Sequence, residues 1–552
     1  MIGPRGTPAA VRDTLPWLTA PSVGTLALFV LLAVVHTWPL ATAPSLLTRH
    51  DNADAWLNEW TLAWVAHAMV TQPWQIFDAN IFYPARDSLA FSEHLIPQGL
   101  LGAPLAWMGG SPVLVFNLVL MAGFALTGWM TTVVVARWTG DWLAGAFAGS
   151  VAAFNTHTLS RMVHIQAVHV EFLALALFGL DRLLRSPRVR HVLWLAGWAS
   201  LQMLCSGYLL VFTATTLAVG SLVRWSEWVG RGRGRVFVRL AWAAVLCALL
   251  CGPFLLPYAR VRREQQLTRS LQEVAAYSAH WQDYLTTVGN VHYSWWSARF
   301  YRGTDALFPG VLPIALTGVA VMTGIAWRDR RARMASAAVV ACLILSFGPA
   351  TPVYRLLYAG IPLLEGIRGA ARFGYVVIFG LGILGAFGLA DARKRMRRQG
   401  GRVAAGSLLA SVLVGAVNLE ALVAPHDFVA FAGPSPVFRV LSERAVVVEL
   451  PLWPPADIAR NAPYLLNSTR AWYRLVNGYS GFVPAQYGAL ATDMRAFPDE
   501  TSREALERLG ATHVVVHLDE LPGLAERLAS ETWLEQVAGA RDVRIFRIRA
   551  VP

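Results

Sequence analysis

Eleven apolar runs constrain this chain more than any other feature. They lie near 22–42, 111–136, 142–156, 165–183, 190–205, 207–223, 238–258, 308–327, 334–349, 372–390 and 403–424. A hydrocarbon core about 30 Å thick needs roughly 20 apolar residues of helix. Backbone groups inside it must satisfy one another, which favours helices for runs of this kind. Composition agrees: 55% of the 552 residues are hydrophobic and 15% are charged, against about 25% charged in an ordinary soluble domain. A soluble enzyme on a single anchor is therefore excluded. The expected fold class is mostly α, a polytopic membrane helical bundle of about eleven spans with an α/β domain at its C-terminal end.

Charge sets the orientation. The segments "DRLLRSPRVR", "RWSEWVGRGRGRVFVR", "WRDRRAR" and "DARKRMRRQGGR" are dense in arginine and alternate with 157–164, 205–207, 259–307 and 350–371 on the other side; loop 259–307 also holds arginines, but its length weakens the rule there. The positive-inside rule then places the N-terminus in the cytoplasm. The first loop, 43–110, and everything after residue 424 fall outside. The net charge of +13 resides mainly in these short segments, so it reads as topology and argues against a nucleic-acid partner. Arg5 and Arg12 precede the first run, and Ala41-Thr42-Ala43 imitates a signal-peptidase site. The run is longer than a signal core, which favours an uncleaved first span. The four cysteines sit in or beside apolar runs and match no zinc or disulfide spacing.

Two units follow: a helical bundle over 1–424, including the outer loop 43–110 with its juxtamembrane helices, and an extracytoplasmic α/β domain over 425–552. In the latter, "RAVVVELPL", "ATHVVVHLDE" and "DVRIFRIRA" read as strands. "TSREALERLG" and "ELPGLAERLAS" read as helices, the first capped by Thr501 or Ser502 and ended by Gly510. His94–Met108 is apolar enough to be re-entrant.

Polar residues stand out against this background in four places, all on the expected outer side. Asp51 and Asp54 open a helix whose Trp56, Trp60 and Trp64 repeat at i+4 and share one face. That face is expected to lie on the bilayer interface. Asp54 also stands where a helix N-cap would, and Asp51 where a solvated turn residue would. Farther along the first loop, aromatic residues suggest a lid against the bilayer. There Glu93 and His94 offer a base, an acid or a metal ligand, or two solvated rim residues. His157, His164, His169 and Glu171 form a third group, as ligands or as satisfied interior residues. Arg368 and Arg372 are one helical turn apart, suited to a phosphate clamp or to snorkelling toward headgroups. In the tail, Asn477 and Tyr479 stand in a glycine-flanked loop that would bind a sugar acceptor or serve as a plain tight turn.

In order along the chain, Asp51, Asp54, Asn58–Ala68, "FDANIFYP", "SEH", His164 with Gln166, "IRGAARF" and "NGYSGFVP" resemble a branch of bacterial membrane proteins in the GT-C superfamily of integral membrane glycosyltransferases. The match spans most of the chain. It implies sugar transfer from a polyprenyl-phosphate donor to a glycan, lipid or protein acceptor at the outer face of a bacterial inner membrane. By that resemblance Asp51, Asp54 and Glu93 are the catalytic candidates, with Asp51 first as general base. His94, His164, Arg368, Arg372, Asn477 and Tyr479 are the substrate-binding candidates. No cofactor is assigned, and a divalent metal ion stays open because some relatives use one and many do not. The rival from another class is a lipid-linked glycan transporter without sugar-transfer chemistry.

Overall fold

The computed structural model describes residues 19–265, 268–303, 305–521 and 523–549; Arg5 and Arg12 lie outside the described residues. Each of the eleven apolar runs is helical. In chain order the longer helices are α1 (Ala20–His36), α2 (Ala53–Thr71), α3 (Ile96–Trp107), α4 (Pro112–Thr139), α5 (Trp142–Ala153), α6 (Glu171–Arg185) and α7 (Val189–Leu204). They continue as α8 (Gly207–Leu222), α9 (Gly234–Gln265), α10 (Val311–Met322), α11 (Arg330–Ser346), α12 (Gly374–Arg398) and α13 (Val403–Ala421). By length and composition, four of the described helices can cross a membrane: α4, α9, α12 with the turn before it, and α13. α1, α8 and α10 are apolar but shorter. The chain is thus a multi-pass membrane protein, although only four of the described helices are long and apolar enough to cross, against the eleven crossings expected. The region before α6 is irregular, because Asn155 and His164 cap short turns where an unbroken helix was expected from 165.

Local chemistry fixes the helix ends. Ser111 accepts from the Leu114 amide and Pro112 starts α4, while Gly140 ends it in the left-handed conformation. Asp141 then caps α5. Where α1, α4 and α5 cross, Gly128 and Gly149 leave no room for a side chain. A Cβ on Gly128 would lie 2.2 Å from the Phe29 ring, and one on Gly149 2.3 Å from the Gly128 carbonyl oxygen. The bundle core gathers Phe147, Phe178, Phe373 and Phe379 with smaller aliphatic and alanine side chains.

The tail forms a five-stranded sheet. A two-residue pair precedes it, β1 (Leu47–Thr48) from the first loop and β2 (Val429–Ala430), antiparallel. The sheet itself holds β3 (Val446–Leu450), β4 (Arg474–Leu475), β5 (His513–His517), β6 (Leu534–Ala540) and β7 (Val543–Ile548), in the order β4-β3-β5-β7-β6. β3 runs parallel to β4 and β5, whereas β7 is antiparallel to β5 and β6. The helix after "FPDE" begins at Glu500 with Asp499 as its cap, one turn-position earlier than expected, and ends at Gly510.

The first loop and the tail share one apolar core. Trp60, Trp64, Phe77, Phe82 and Phe91 pack with Val447, Tyr473 and Leu475. Backbone bonds stitch the seam: Leu475 N–H to Asn80 O (2.7 Å), Tyr83 N–H to Leu475 O (3.0 Å) and Phe82 N–H to Asn477 O (3.1 Å). The tryptophan face of α2 is accordingly not a bilayer contact. Trp60 is 1% exposed, its indole donates to Asn80, and Trp64 packs edge-on against Trp472. The protein supplies the apolar surface that the sequence pattern assigned to lipid.

Candidate active site

The start of α2 decides which first-loop carboxylate faces the bundle. Asn52, not Asp54, is the N-cap: its side chain accepts from the Asp54 amide at 2.9 Å. That leaves the Asp54 carboxylate free of capping. Its Oδ1 accepts the Tyr479 hydroxyl at 2.7 Å, and its Oδ2 lies 3.7 Å from His164 Nε2. Asp51 is turned away. It is half-exposed and held by a two-pronged contact with Arg49, at 3.0 and 3.1 Å, which lowers its pKa. A third carboxylate of this region, Glu59, is buried against His50 at 2.7 Å, with Trp56 stacked on the imidazole; burial raises the Glu59 pKa.

The irregular segment between α5 and α6 supplies the cationic wall. Arg161 is ion-paired with Asp305, which arrives from the loop before α10, and His157 Nδ1 lies 3.9 Å from the same carboxylate. Burial works against ionisation of Asp305, but Arg161, His157 and Arg372 hold its pKa below the usual value. Burial pushes His157 down to about 3 and His164 to about 4, with Arg161 adding to the first and Arg372 to the second. Both imidazoles are therefore neutral at neutral pH. Neither Arg161 nor Asp305 stood out in sequence. They are far apart in the chain, and an arginine between two histidines carries no motif.

Arg372 stacks its guanidinium over Tyr208, 4.3 Å from the ring centroid, and Arg368 does the same over Tyr277 at 4.6 Å. The Tyr208 hydroxyl in turn accepts from the Gly369 amide, fixing the turn that carries both arginines. Arg372 lines a cavity of about 30 Å³ with His157, Arg161, His164, Tyr208 and Tyr375. Arg368 acts on Tyr479, whose pKa is raised first by burial and then by Asp54. Arg372 thus acts electrostatically on His164 and Arg368 on Tyr479, the two neighbours of the Asp54 carboxylate.

Glu93 accepts from the Gly207 amide at 2.7 Å and the Ser206 hydroxyl at 3.0 Å, so it caps the start of α8. Burial raises its pKa despite these bonds. His94 points into an aromatic set of Phe77, Phe254 and Tyr258 and takes the Ile96 amide on Nδ1. Asn477 is fully buried and spends its amide on Glu449 N–H, Glu449 O and Asn461. Asp54, His164, Arg368, Arg372 and Tyr479 therefore come together, with Glu93 behind Arg372. Asp51, His94 and Asn477 are held elsewhere.

Among the described residues, no group of three or more His, Cys, Asp or Glu side chains is arranged to hold a metal ion. The two carboxylates there, Asp54 and Asp305, are held by Tyr479 and Arg161, and the imidazoles of His164 and His157 stand beside arginines. No step below passes through a metal.

No family model matches the chain, and no curated protein does either. Solved structures do. The arabinofuranosyltransferase AftD from Mycobacteria superposes with a TM-score of 0.60 at 14% identity, over 96% of this chain and 40% of that one. The oligosaccharyltransferase AglB from Archaeoglobus fulgidus, solved with an inhibitory peptide and a dolichol-phosphate, gives a TM-score of 0.54 at 13% identity, over 92% of this chain and 70% of that one. This chain thus spans less than half the length of AftD.

Proposed function

The fold is of the GT-C membrane glycosyltransferase type, and from that premise we propose that the chain transfers a sugar from a polyprenyl-phosphate donor to an envelope glycan, lipid or protein acceptor, with inversion. The observation that carries the reading is the Asp54 carboxylate, uncapped and oriented by Tyr479, with His164 beside it and Arg372 lining the same cavity as His164. In this reading the bundle crosses a bacterial inner membrane eleven times. The α/β unit after residue 424 lies on the extracytoplasmic side with the site.

Asp54 takes the proton of the acceptor hydroxyl, and that oxygen bonds to the anomeric carbon. The bond from carbon to phosphate oxygen breaks on the opposite face, and the lipid phosphate leaves with both electrons. Arg372 and Arg368 receive the charge, since guanidinium stays ionised and offers paired donors to phosphate. Neutral His164 lies 3.7 Å from the carboxylate and adds no charge that would compete for the phosphate. Glu93 sets the position of α8, whose Tyr208 supports Arg372. Asp54 replaces Asp51 as the base because Asp51 is already paired and faces solvent.

The test is a transfer assay with purified protein in nanodiscs, using a panel of radiolabelled polyprenyl-phosphate sugars and an envelope extract as acceptor. Sugar appearing on the acceptor with release of lipid phosphate supports the reading. Movement of intact donor between leaflets without bond cleavage sinks it in favour of a transporter. Orientation is read separately: Gly303→Cys should react with an impermeant thiol reagent in intact cells, and Gly232→Cys should not.

A further inference from the structure

The tryptophans of α2 are taken up by protein, yet a second aromatic group remains without a partner. The segment 281–301 reads "WQDYLTTVGNVHYSWWSARFY". Trp295 is 78% exposed and Trp281 61%, and Tyr293, Tyr301 and Val291 are exposed beside them. Behind them Trp296, Phe300, Phe308 and His292 pack edge-on into one another. The display is therefore a rigid surface. Its height is fixed by α13. The Asn290 amide nitrogen bonds Leu422 O at 2.9 Å, the Asn290 side chain bonds the carbonyls of Val423 and Ala424, and His292 pairs with Glu420 at 2.8 Å. α13 is one of the four helices able to cross a membrane, and Leu408, Val412 and Leu419 on it are exposed. The aromatic surface thus sits level with the end of an apolar, outward-facing helix.

Tryptophan and tyrosine at that level suit a headgroup zone, where the ring is sheltered and its polar edge stays wet. Arg299 is exposed on the same segment and Arg302 directly after it, and both suit anionic headgroups. We propose that residues 281–301 form an anchor seated in the headgroup layer of the bilayer, and that its occupant is lipid. Asp305 follows four residues later and pairs with Arg161, so the anchor also ties the cationic wall of the site to the membrane surface. The anchoring role does not depend on which group the site transfers.

Trp295→Cys, labelled with bimane in nanodiscs, tests this. The native cysteines are buried or half-buried, and protein without the new cysteine provides the blank. Lipids brominated near the headgroup end of their chains should remove most of the bimane emission, while aqueous iodide should not. Ser530→Cys, exposed in the tail, should respond to iodide alone. Quenching of the Trp295→Cys probe by iodide and not by brominated lipid overturns the proposal. Shielding from both also overturns it, because the surface would then be covered by protein. Trp281→Cys serves as the second position if the first variant misfolds, with the same outcomes.

Discussion

Asp54→Asn separates chemistry from architecture at the site. The Tyr479 hydroxyl donates to Oδ1 of Asp54 at 2.7 Å, and an asparagine carbonyl oxygen in that place accepts the same bond. The structural loss is the charge on the acceptor. A bond to a charged group contributes about 1.5–3 kcal/mol and a neutral one about 0.5–1.5, so the variant should lose about 1 kcal/mol. The chemical loss is larger. Removing a positioned base costs about 100- to 10,000-fold in rate, or about 3–5 kcal/mol of barrier. Asp51→Asn is the internal reference. Its pair with Arg49 is exposed and local, contributing about 0–1 kcal/mol, so turnover should stay near wild type. Single-turnover transfer from a labelled polyprenyl-phosphate sugar, with thermal melting of each variant alongside, measures both losses. If Asp54→Asn keeps most of its turnover, or if Asp51→Asn falls as far as Asp54→Asn while still folded, the assignment of the base is wrong.

Three further outcomes follow from the packing. Gly478→Ala would place a Cβ 2.5 Å from ring atoms of the buried Phe82, and overpacking of that kind costs about 1–3 kcal/mol, readable as a lower melting temperature. Trp60→Ala should cost about 3–5 kcal/mol, as expected for a large ring lost from a protein core; an unchanged melt would put that ring in lipid after all. His94 has its pKa lowered by burial from 6.5 to about 4, so the folded state resists its protonation. The stability this neutral ring contributes is complete above pH 6.5 and is lost as pH falls toward 4, by at most about 3 kcal/mol. His94→Gln should flatten that part of the stability curve, and equal slopes in both proteins would contradict the burial argument.

Hydropathy made the helices legible, because a span needs only a run of apolar residues and neighbours that end it. It did not reveal which runs reach across, since α5 and α10 are both short and only their packing shows how they sit. β3, β5 and β7 were readable from β-branched runs. β4 has two residues, and β6 reads "LEQVAGA" with a bulge between Gln536 and Ala538, so neither carries a pattern. At the site, the paired arginines and His164 were found by residue type and position. The choice between Asp51 and Asp54 turned on Asn52, whose cap takes the role assigned to Asp54. The tryptophan stripe on α2 was read correctly as one face and wrongly as a lipid face, because an apolar surface looks the same in sequence whether oil or protein covers it.

The bond from Tyr479 to Asp54 joins residues 425 positions apart. A ribosome adding about 5–20 residues per second needs roughly 20 to 90 seconds to pass from the first to the second. Arg368 and Arg372 emerge only late in that interval, so for most of it the nascent bundle carries the carboxylate without the arginines or Tyr479. In the proposed mechanism the base is oriented only once the segment carrying Tyr479 has folded onto the first loop. On the proposed reading, a product truncated before Tyr479 holds Asp54 without the hydroxyl that orients it.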